Sequence, residues 1–334
     1  MTPRFLHVAN GSSVTKTLAE AGVQGLLSIW ADPLHDGPVP AGLSDEALLD
    51  VRRQFLAGPP GGPSDDPAND LRLWRKVIEH HDAYDELVLW FEHDLFDQLN
   101  LIQILSWIHH RIPSSKVVSL VCIGSYPGRP DFKGLGELTA TELAPLLDTR
   151  QPVTESQYAL AERAWEAFRG ATPEALDDFR RTNTSPLPYL AAALVRFLQE
   201  YPWTTDGLSR TERRLLRLAE SGSIQLGQAF PRMHEDERAY YVSDTSLAEL
   251  AESLSRTSPP LLTQDADATA ADEWFRTTVT ITPAGRAVLR GDQDRISLCG
   301  VEDHWLGGVQ LRNDATLWRW DDARQRITTD ASNA

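Results

Sequence analysis

Four short apolar runs in the first half of the chain set the limits on what it can fold into. They are Phe5-Leu6-His7-Val8-Ala9, Leu26-Leu27-Ser28-Ile29-Trp30, Glu86–Phe91 and Lys116–Cys122, with helix-patterned stretches between them. Strand and helix in alternation mark a parallel sheet, because parallel neighbours need a long crossover that a helix supplies. The third run is apolar throughout after its first residue, which suits a strand covered on both faces. Helices are predicted over Val14–Ala21, from Ser44 to Ala57, from Asn69 to His81 and over Leu95–His110. The connector Asp32–Pro40 holds three prolines and cannot be helical. Gly58–Pro67, GPPGGPSDDP, reads as a mobile surface loop.

The second half has a different pattern. Helices are predicted over Glu155–Arg169, Pro173–Arg181 and Tyr189–Tyr201, then through Ala219 behind the cap Asp206-Gly207-Leu208-Ser209, and from Ser243 to Leu254. Pro260–Thr263 and Thr277–Ile281 flank a polar tip and read as a β-hairpin. Helix, helix, hairpin is the order of a winged-helix unit. A short helix from Thr282 and a strand at Val309–Leu311 follow, and the tail from Asp321 is expected to fray. The expected fold class is α/β: a Rossmann-like parallel sheet over residues 1–150, then a mainly helical region over 151–330 with a winged-helix-like unit.

Size and composition agree with two cores. The chain has 334 residues, 41% of them apolar, and ten tryptophans. No run of about 18 apolar residues occurs, so no membrane span is expected. The N-terminal MTPRFLHVANGSS lacks the pattern of a signal peptide. Cys122 and Cys299 lie far apart without metal-type spacing, which suits a reducing, cytoplasmic setting. The net charge of -16 divides evenly: residues 1–150 hold 12 Lys+Arg against 20 Asp+Glu, and residues 151–334 hold 20 against 28. Neither half has the basic footprint of a nucleic-acid binder, so small partners are favoured over nucleic acid.

In a parallel sheet every strand ends on the same edge, and ligands bind there. The first run delivers His7 near its end, then Asn10, Gly11, Ser12 and Ser13. The second delivers Asp32, His35 and Asp36. The third delivers Glu92, His93 and Asp94 and, one helical turn on, Asp97 and Gln98. The fourth delivers Gly124, Ser125 and Tyr126.

The Asn-Gly-Ser-Ser turn feeds a helix N-terminus, where free amides and the helix dipole favour an anion. It lacks the lysine and spacing of a Walker loop and does not match GxGxxG. An ordinary cap by Ser12 or Ser13 is the alternative. Asp94 can cap the helix that follows it, yet that leaves Glu92 and His93 after a buried strand unexplained. His35, Asp36, Glu92, His93 and Asp94 are therefore the candidate catalytic residues, for acid–base work or for holding a divalent cation. His7, Asn10, Gly11, Ser12, Ser13, Asp32, Asp97 and Gln98 are the candidate ligand-binding residues.

The pairs His80-His81 and His109-His110 are not expected to chelate, since adjacent helical side chains point about 100° apart. Arg210, Arg213, Arg214 and Arg217 read as a solvated helix face. The helix Ser243–Leu254 carries Asp244, Glu249 and Glu252 and no basic residue, so DNA would repel it and a protein partner suits it better.

The segments LHVANGSS, IWADPLHDGPVP and LVLWFEHDLFDQLNL resemble an uncharacterised bacterial family, domain of unknown function eighteen-thirty-five. The later ITPAGRAVLRG and HWLGGVQL resemble the region that trails it. The resemblance spans most of the chain and departs at Ala31, where a charged residue is expected. It implies the α/β fold and no particular reaction. Three functions then stand open: a hydrolase or transferase acting on a phosphorylated or nucleotide-like compound, a non-catalytic ligand-sensing or interaction module, and, least favoured, a DNA-binding regulator.

Overall fold

The computed structural model describes residues 3–57, 67–265 and 271–329. The chain forms two compact units, Met1–Leu194 with Trp305–Gln310, and Val195–His304 with Leu311–Ala334. Residues 58–66, nearly all of the loop expected over Gly58–Pro67, lie outside the described residues. So do 266–270 in the hairpin tip and 330–334 in the tail.

In the first unit the elements are β1 (Phe5–Ala9), α1 (Ser12–Glu20), β2 (Leu26–Ile29), α2 (Asp45–Leu56), α3 (Pro67–Glu79), β3 (Glu86–Glu92) and α4 (Leu95–His109). Then come β4 (Val117–Ile123), α5 (Ala140–Leu143), β5 (Gln151–Pro152), α6 (Glu155–Phe168), α7 (Glu174–Phe179) and α8 (Leu190–Leu198), whose last residues enter the second unit.

The sheet order is β2-β1-β3-β4-β5. The first four strands are parallel, with His7 level with Leu27 on one side and Val88 on the other. β5 runs antiparallel, Leu120 facing Gln151. The chain steps outward from β1 to β2, then crosses back to lay β3 on the other side of β1. The strand order therefore reverses between β1 and β3, where α/β sheets open a crevice at their carboxyl ends.

Alternation along β3 explains its unbroken apolar run. Val88 and Trp90 join Ala9, Val14, Leu18, Phe132, Leu135 and Leu143 in the core of one face. Leu87, Leu89 and Phe91, also fully buried, point to the other. Ser44 caps α2, its hydroxyl accepting from the Ala47 amide at 3.3 Å. The first unit continues well past residue 150 because α6 packs along α4. The Arg169 guanidinium, at the end of α6, donates to the Pro40 carbonyl, and the Gly307 carbonyl accepts from the Val39 amide. The sheet with its flanking helices thus draws chain from both halves of the sequence.

The second unit is mostly helical. It contains α9 (Arg210–Glu220), β6 (Ile224–Gln225), α10 (Leu226–Met233), α11 (Asp244–Arg256), β7 (Leu262–Gln264), β8 (Thr278–Ile281), α12 (Pro283–Leu289) and α13 (Arg295–Cys299). β9 (His304–Leu306) and β10 (Val309–Leu311) belong mostly to the first unit, and β11 (Trp318–Asp321) and β12 (Arg326–Thr329) complete the order. β6, β8 and β7 form a three-stranded antiparallel sheet against a core of Leu215, Leu216, Leu247, Leu254 and Ile281. β6 is two residues long and α10 contains Pro231, so neither left a periodic trace in the sequence.

Two expectations for this unit are corrected. The tail does not fray at Asp321: β12 pairs with β11, Ile327 facing Trp320, whose fully buried ring donates to Asp322. Nor is the arginine face of α9 simply solvated. Arg210 donates to the Gln199 side chain at 2.6 Å, Arg213 lies over the Trp203 ring at 4.3 Å and bonds Asp206, and Arg214 reaches the Arg232 carbonyl. Of the four, Arg217 is the exposed one.

Candidate functional site

The carboxyl ends of β1 and β3 carry the densest chemistry in the first unit. β3 ends at Glu92, and Asp94 caps α4 by accepting the Asp97 amide at 2.8 Å. Asp97 in turn accepts the Glu92 amide at 2.8 Å through Oδ1 and the Asn10 side-chain amide at 2.7 Å through Oδ2. The Glu92 carboxylate accepts from the backbone amide of Leu135. Gln98 donates to the Glu92 carbonyl. One oxygen each from Glu92, Asp94 and Asp97 lies within 4.8 Å of the others.

Such a cluster is electrostatically costly, and the acids respond. Burial, then the Asp94 charge, pushes Glu92 up to about 8. Burial pushes Asp94 up to about 6. Burial and then the charges of Glu92 and Asp94 hold Asp97 well above the ordinary carboxylate range. Two routes relieve the repulsion: shared protons or a bound cation. An all-oxygen donor set suits a hard ion such as Mg2+, Mn2+ or Ca2+.

Beside the acids lies the start of α1. Gly11 holds its N-cap position at φ 135°, a conformation that favours glycine, and no side chain caps the helix. Ser12 and Ser13 are exposed and do not cap, contrary to the ordinary-cap alternative. A loop comes down over both features. A Cβ on Gly134 would meet the Glu92 carboxylate at 2.1 Å, and one on Gly136 would lie 3.0 Å from the Ser13 hydroxyl. A cleft of about 330 Å³ opens alongside, lined by Gln98, Leu101, Cys122, Ile123, Gln151 and Leu187. Gln98 belongs to both.

The other predicted site residues make contacts of their own. His7 is fully buried in mid-strand. Its Nδ1 accepts from the Trp90 indole at 3.1 Å, so the Nε2 that faces the Gln24 carbonyl at 3.2 Å carries the proton. Burial lowers its pKa, which keeps the ring neutral. Asp32 is taken up by Arg52 in a forked pair at 2.7–3.2 Å, with both side chains almost wholly buried. Arg52 also donates to the carbonyls of Pro33 and Asp36, so the connector is bound into shape by one guanidinium. His35 meets Phe96 of α4 edge-on at 5.8 Å, while Asp36 is exposed. His93 lies between Phe132 and Tyr189, each ring 6.2 Å away.

Several contributors escaped the sequence reading. The Leu135 amide and Phe132 come from a loop with no periodic signal, and Tyr189, read as the first residue of a helix, lies just ahead of α8. Asn100 clips the connector through both ends of its amide, accepting from the Asp32 amide and donating to the Asp32 carbonyl. Gln103 holds the Trp30 indole at 2.7 Å. The available signal was the row Asp97, Gln98, Asn100 and Gln103 inside an otherwise apolar helix.

The premise that the His109 and His110 side chains point apart is corrected. Both rings converge on one oxygen of Glu162, at 2.6 and 2.7 Å. His110 is the C-cap of α4 at φ -102° and ψ 0°, outside the regular helix, so the 100° rule does not apply to it. His80 is bonded through Nδ1 to the Lys76 carbonyl at 2.6 Å. Among the described residues no helix is long and apolar enough to cross a membrane.

No protein-family model and no curated protein matches this chain. The functional reading therefore rests on the geometry.

Proposed function

We propose that the first unit is a Rossmann-like domain that binds a small phosphorylated or nucleotide-like anion at the β1/β3 crevice, and that it is an enzyme of the hydrolase or transferase type. The observation that carries this reading is the convergence of Glu92, Asp94 and Asp97, tied to Asn10, where the strand order reverses. In this reading Glu92, Asp94 and Asp97 would hold a divalent cation, which would supply charge to polarise the ligand, and the amides at Gly11–Ser13 would meet the ligand's charge. Without the cation, burial and mutual repulsion keep protons on these acids past the ordinary carboxylate range, which suits them to acid–base work. His93 and Gln98 orient the ligand, and His35 and Asp36 border it. The resemblance to domain of unknown function eighteen-thirty-five is part of this proposal.

The test is a thermal-shift and turnover screen of the full chain against nucleotides and sugar phosphates, with and without Mg2+ or Mn2+. A ligand at a hundred times its Kd adds about 2.7 kcal/mol to the binding form. The expected result is a cation-dependent shift with turnover, lost in Asp94→Asn, which keeps the cap. No shift with any anion or cation would sink the reading.

A second reading is a ligand-sensing module without turnover. It is favoured by the second unit, whose helix–strand–helix–helix–hairpin order fits a winged helix while α11 exposes Asp244, Glu249 and Glu252. Such a surface suits a protein partner better than DNA. Saturable binding with no product would select this reading.

A further inference from the structure

The two ends of α4 carry different chemistry. Its first turn holds the acid cluster; its last holds His109 and His110, about 20 Å away along a helix rising 1.5 Å per residue. We infer that His109, His110 and Glu162 form a second metal site, one for a borderline transition ion such as Zn2+, Ni2+ or Cu2+.

Donor type comes first. Two imidazoles and one carboxylate select this class of ion over Mg2+ or Ca2+, which prefer oxygen alone. The spacing fits as well. Glu162 Oε1 lies 2.6 Å from His109 Nδ1 and 2.7 Å from His110 Nε2, and the three donor atoms lie within 4.8 Å of one another. Around a tetrahedral zinc with bonds near 2.0–2.2 Å, ligand atoms sit about 3.3 Å apart. The two contacts to Glu162 therefore have to open by about 0.6–0.7 Å, and the side chain of His110 is 70% exposed and able to yield.

The surroundings of His109 give the most specific support. Its other nitrogen, Nε2, faces Glu155 Oε1 at 3.2 Å. A carboxylate behind a ligating imidazole fixes the tautomer and strengthens the ligand, here leaving the Nδ1 lone pair for the metal. The ring is held flat against Tyr158, centroids 4.6 Å apart and planes 1° from parallel. Glu155, Tyr158 and Glu162 share one face of α6, so a single helix supplies the ligand, the stacking surface and the orienting acid. The neighbouring cation, Arg111, is turned away: it pairs with Asp45 and covers the Trp107 ring at 5.1 Å. Three protein ligands leave a fourth position open to water or to a further donor.

The test is a titration of the chelator-treated full chain with Zn2+ alone, followed by calorimetry, and with Co2+ followed by its visible absorption. One ion per chain is expected at this site, with a tetrahedral cobalt spectrum containing nitrogen donors. His110→Ala and Glu162→Gln should each weaken binding at least tenfold, and Glu155→Gln less, by removing the charge that faces Nε2. His110 is exposed, so its loss leaves folding intact; circular dichroism and melting temperature verify this. Unchanged zinc binding in His110→Ala overturns the inference. So does binding that survives both substitutions but vanishes in Asp97→Asn, since the ion would then lie in the carboxylate cluster.

Discussion

Asn10 donates its side-chain amide to Asp97 across 2.7 Å, joining the end of β1 to the first turn of α4. This bond spans the gap where the strand order reverses, and it gives one carboxylate of a crowded acid cluster a donor. Replacing the amide by a carboxylate tests what it does. Asn10→Asp places a fourth acid against Asp97, and at pH 8 the variant should lose about 1–3 kcal/mol. Urea unfolding would show the loss shrinking toward pH 5 and on addition of Mg2+. A variant as stable as the parent at pH 8 would mean that the acids do not sense one another there.

The cluster also sets a pH dependence. Glu92, Asp94 and Asp97 all hold protons more tightly folded than unfolded. Their contribution is therefore fully present below the unfolded carboxylate value of about 4 and is lost as pH rises through the folded values, about 6 for Asp94 and about 8 for Glu92. Melting curves between pH 4 and 9 should fall across that window, flatten in Asp97→Asn, and flatten again with a divalent cation present. A stability that rises across the same window would contradict the assignment.

The Arg52–Asp32 pair yields a prediction independent of any ligand. Arg52→Leu leaves a buried carboxylate without its partner and should cost about 3–5 kcal/mol. The double variant with Asp32→Leu removes both charges and should recover much of that. Chemical denaturation of the three proteins decides it; a double variant that recovers nothing would show that the backbone contacts of Arg52 dominate.

Gly134→Ala probes the loop over the acids. Its Cβ would land on the Glu92 carboxylate, so loop and acid must part. A cost of about 1–3 kcal/mol is expected, with faster hydrogen exchange at the Leu135 amide. An unchanged exchange rate would show that the loop already stands clear.

The four parallel strands were legible because buried β-structure leaves runs that periodicity finds, and Asp94, Asp97 and Asn10 were legible because they follow those runs. Strand order is a property of crossovers, so it could not be read residue by residue, and with it went the place of His7 and Asp32. His7 sits one strand position inside the edge, where its nitrogens are spent on Trp90 and Gln24. Asp32 was recognisable as an acid in a turn, but its partner lies twenty residues on in a helix whose pattern only announced amphipathicity. The pairing of His109 and His110 with Glu162 depends on a helix end, the feature that single-sequence reading locates least well.

α4 is surrounded by apolar contacts on nearly every side. Contacts of that kind have no direction, and a helix held by them alone could slip along its axis at modest cost. Asp97, Asn100 and Gln103 remove that freedom. Each meets a directional partner, Asn10, Asp32 and Trp30 respectively, and a slip of one residue, 1.5 Å with a 100° turn, would break all three at once. The helix is indexed against the strand ends like a notched rod, and its register, more than its rigidity, brings Asp94 and Asp97 to Glu92.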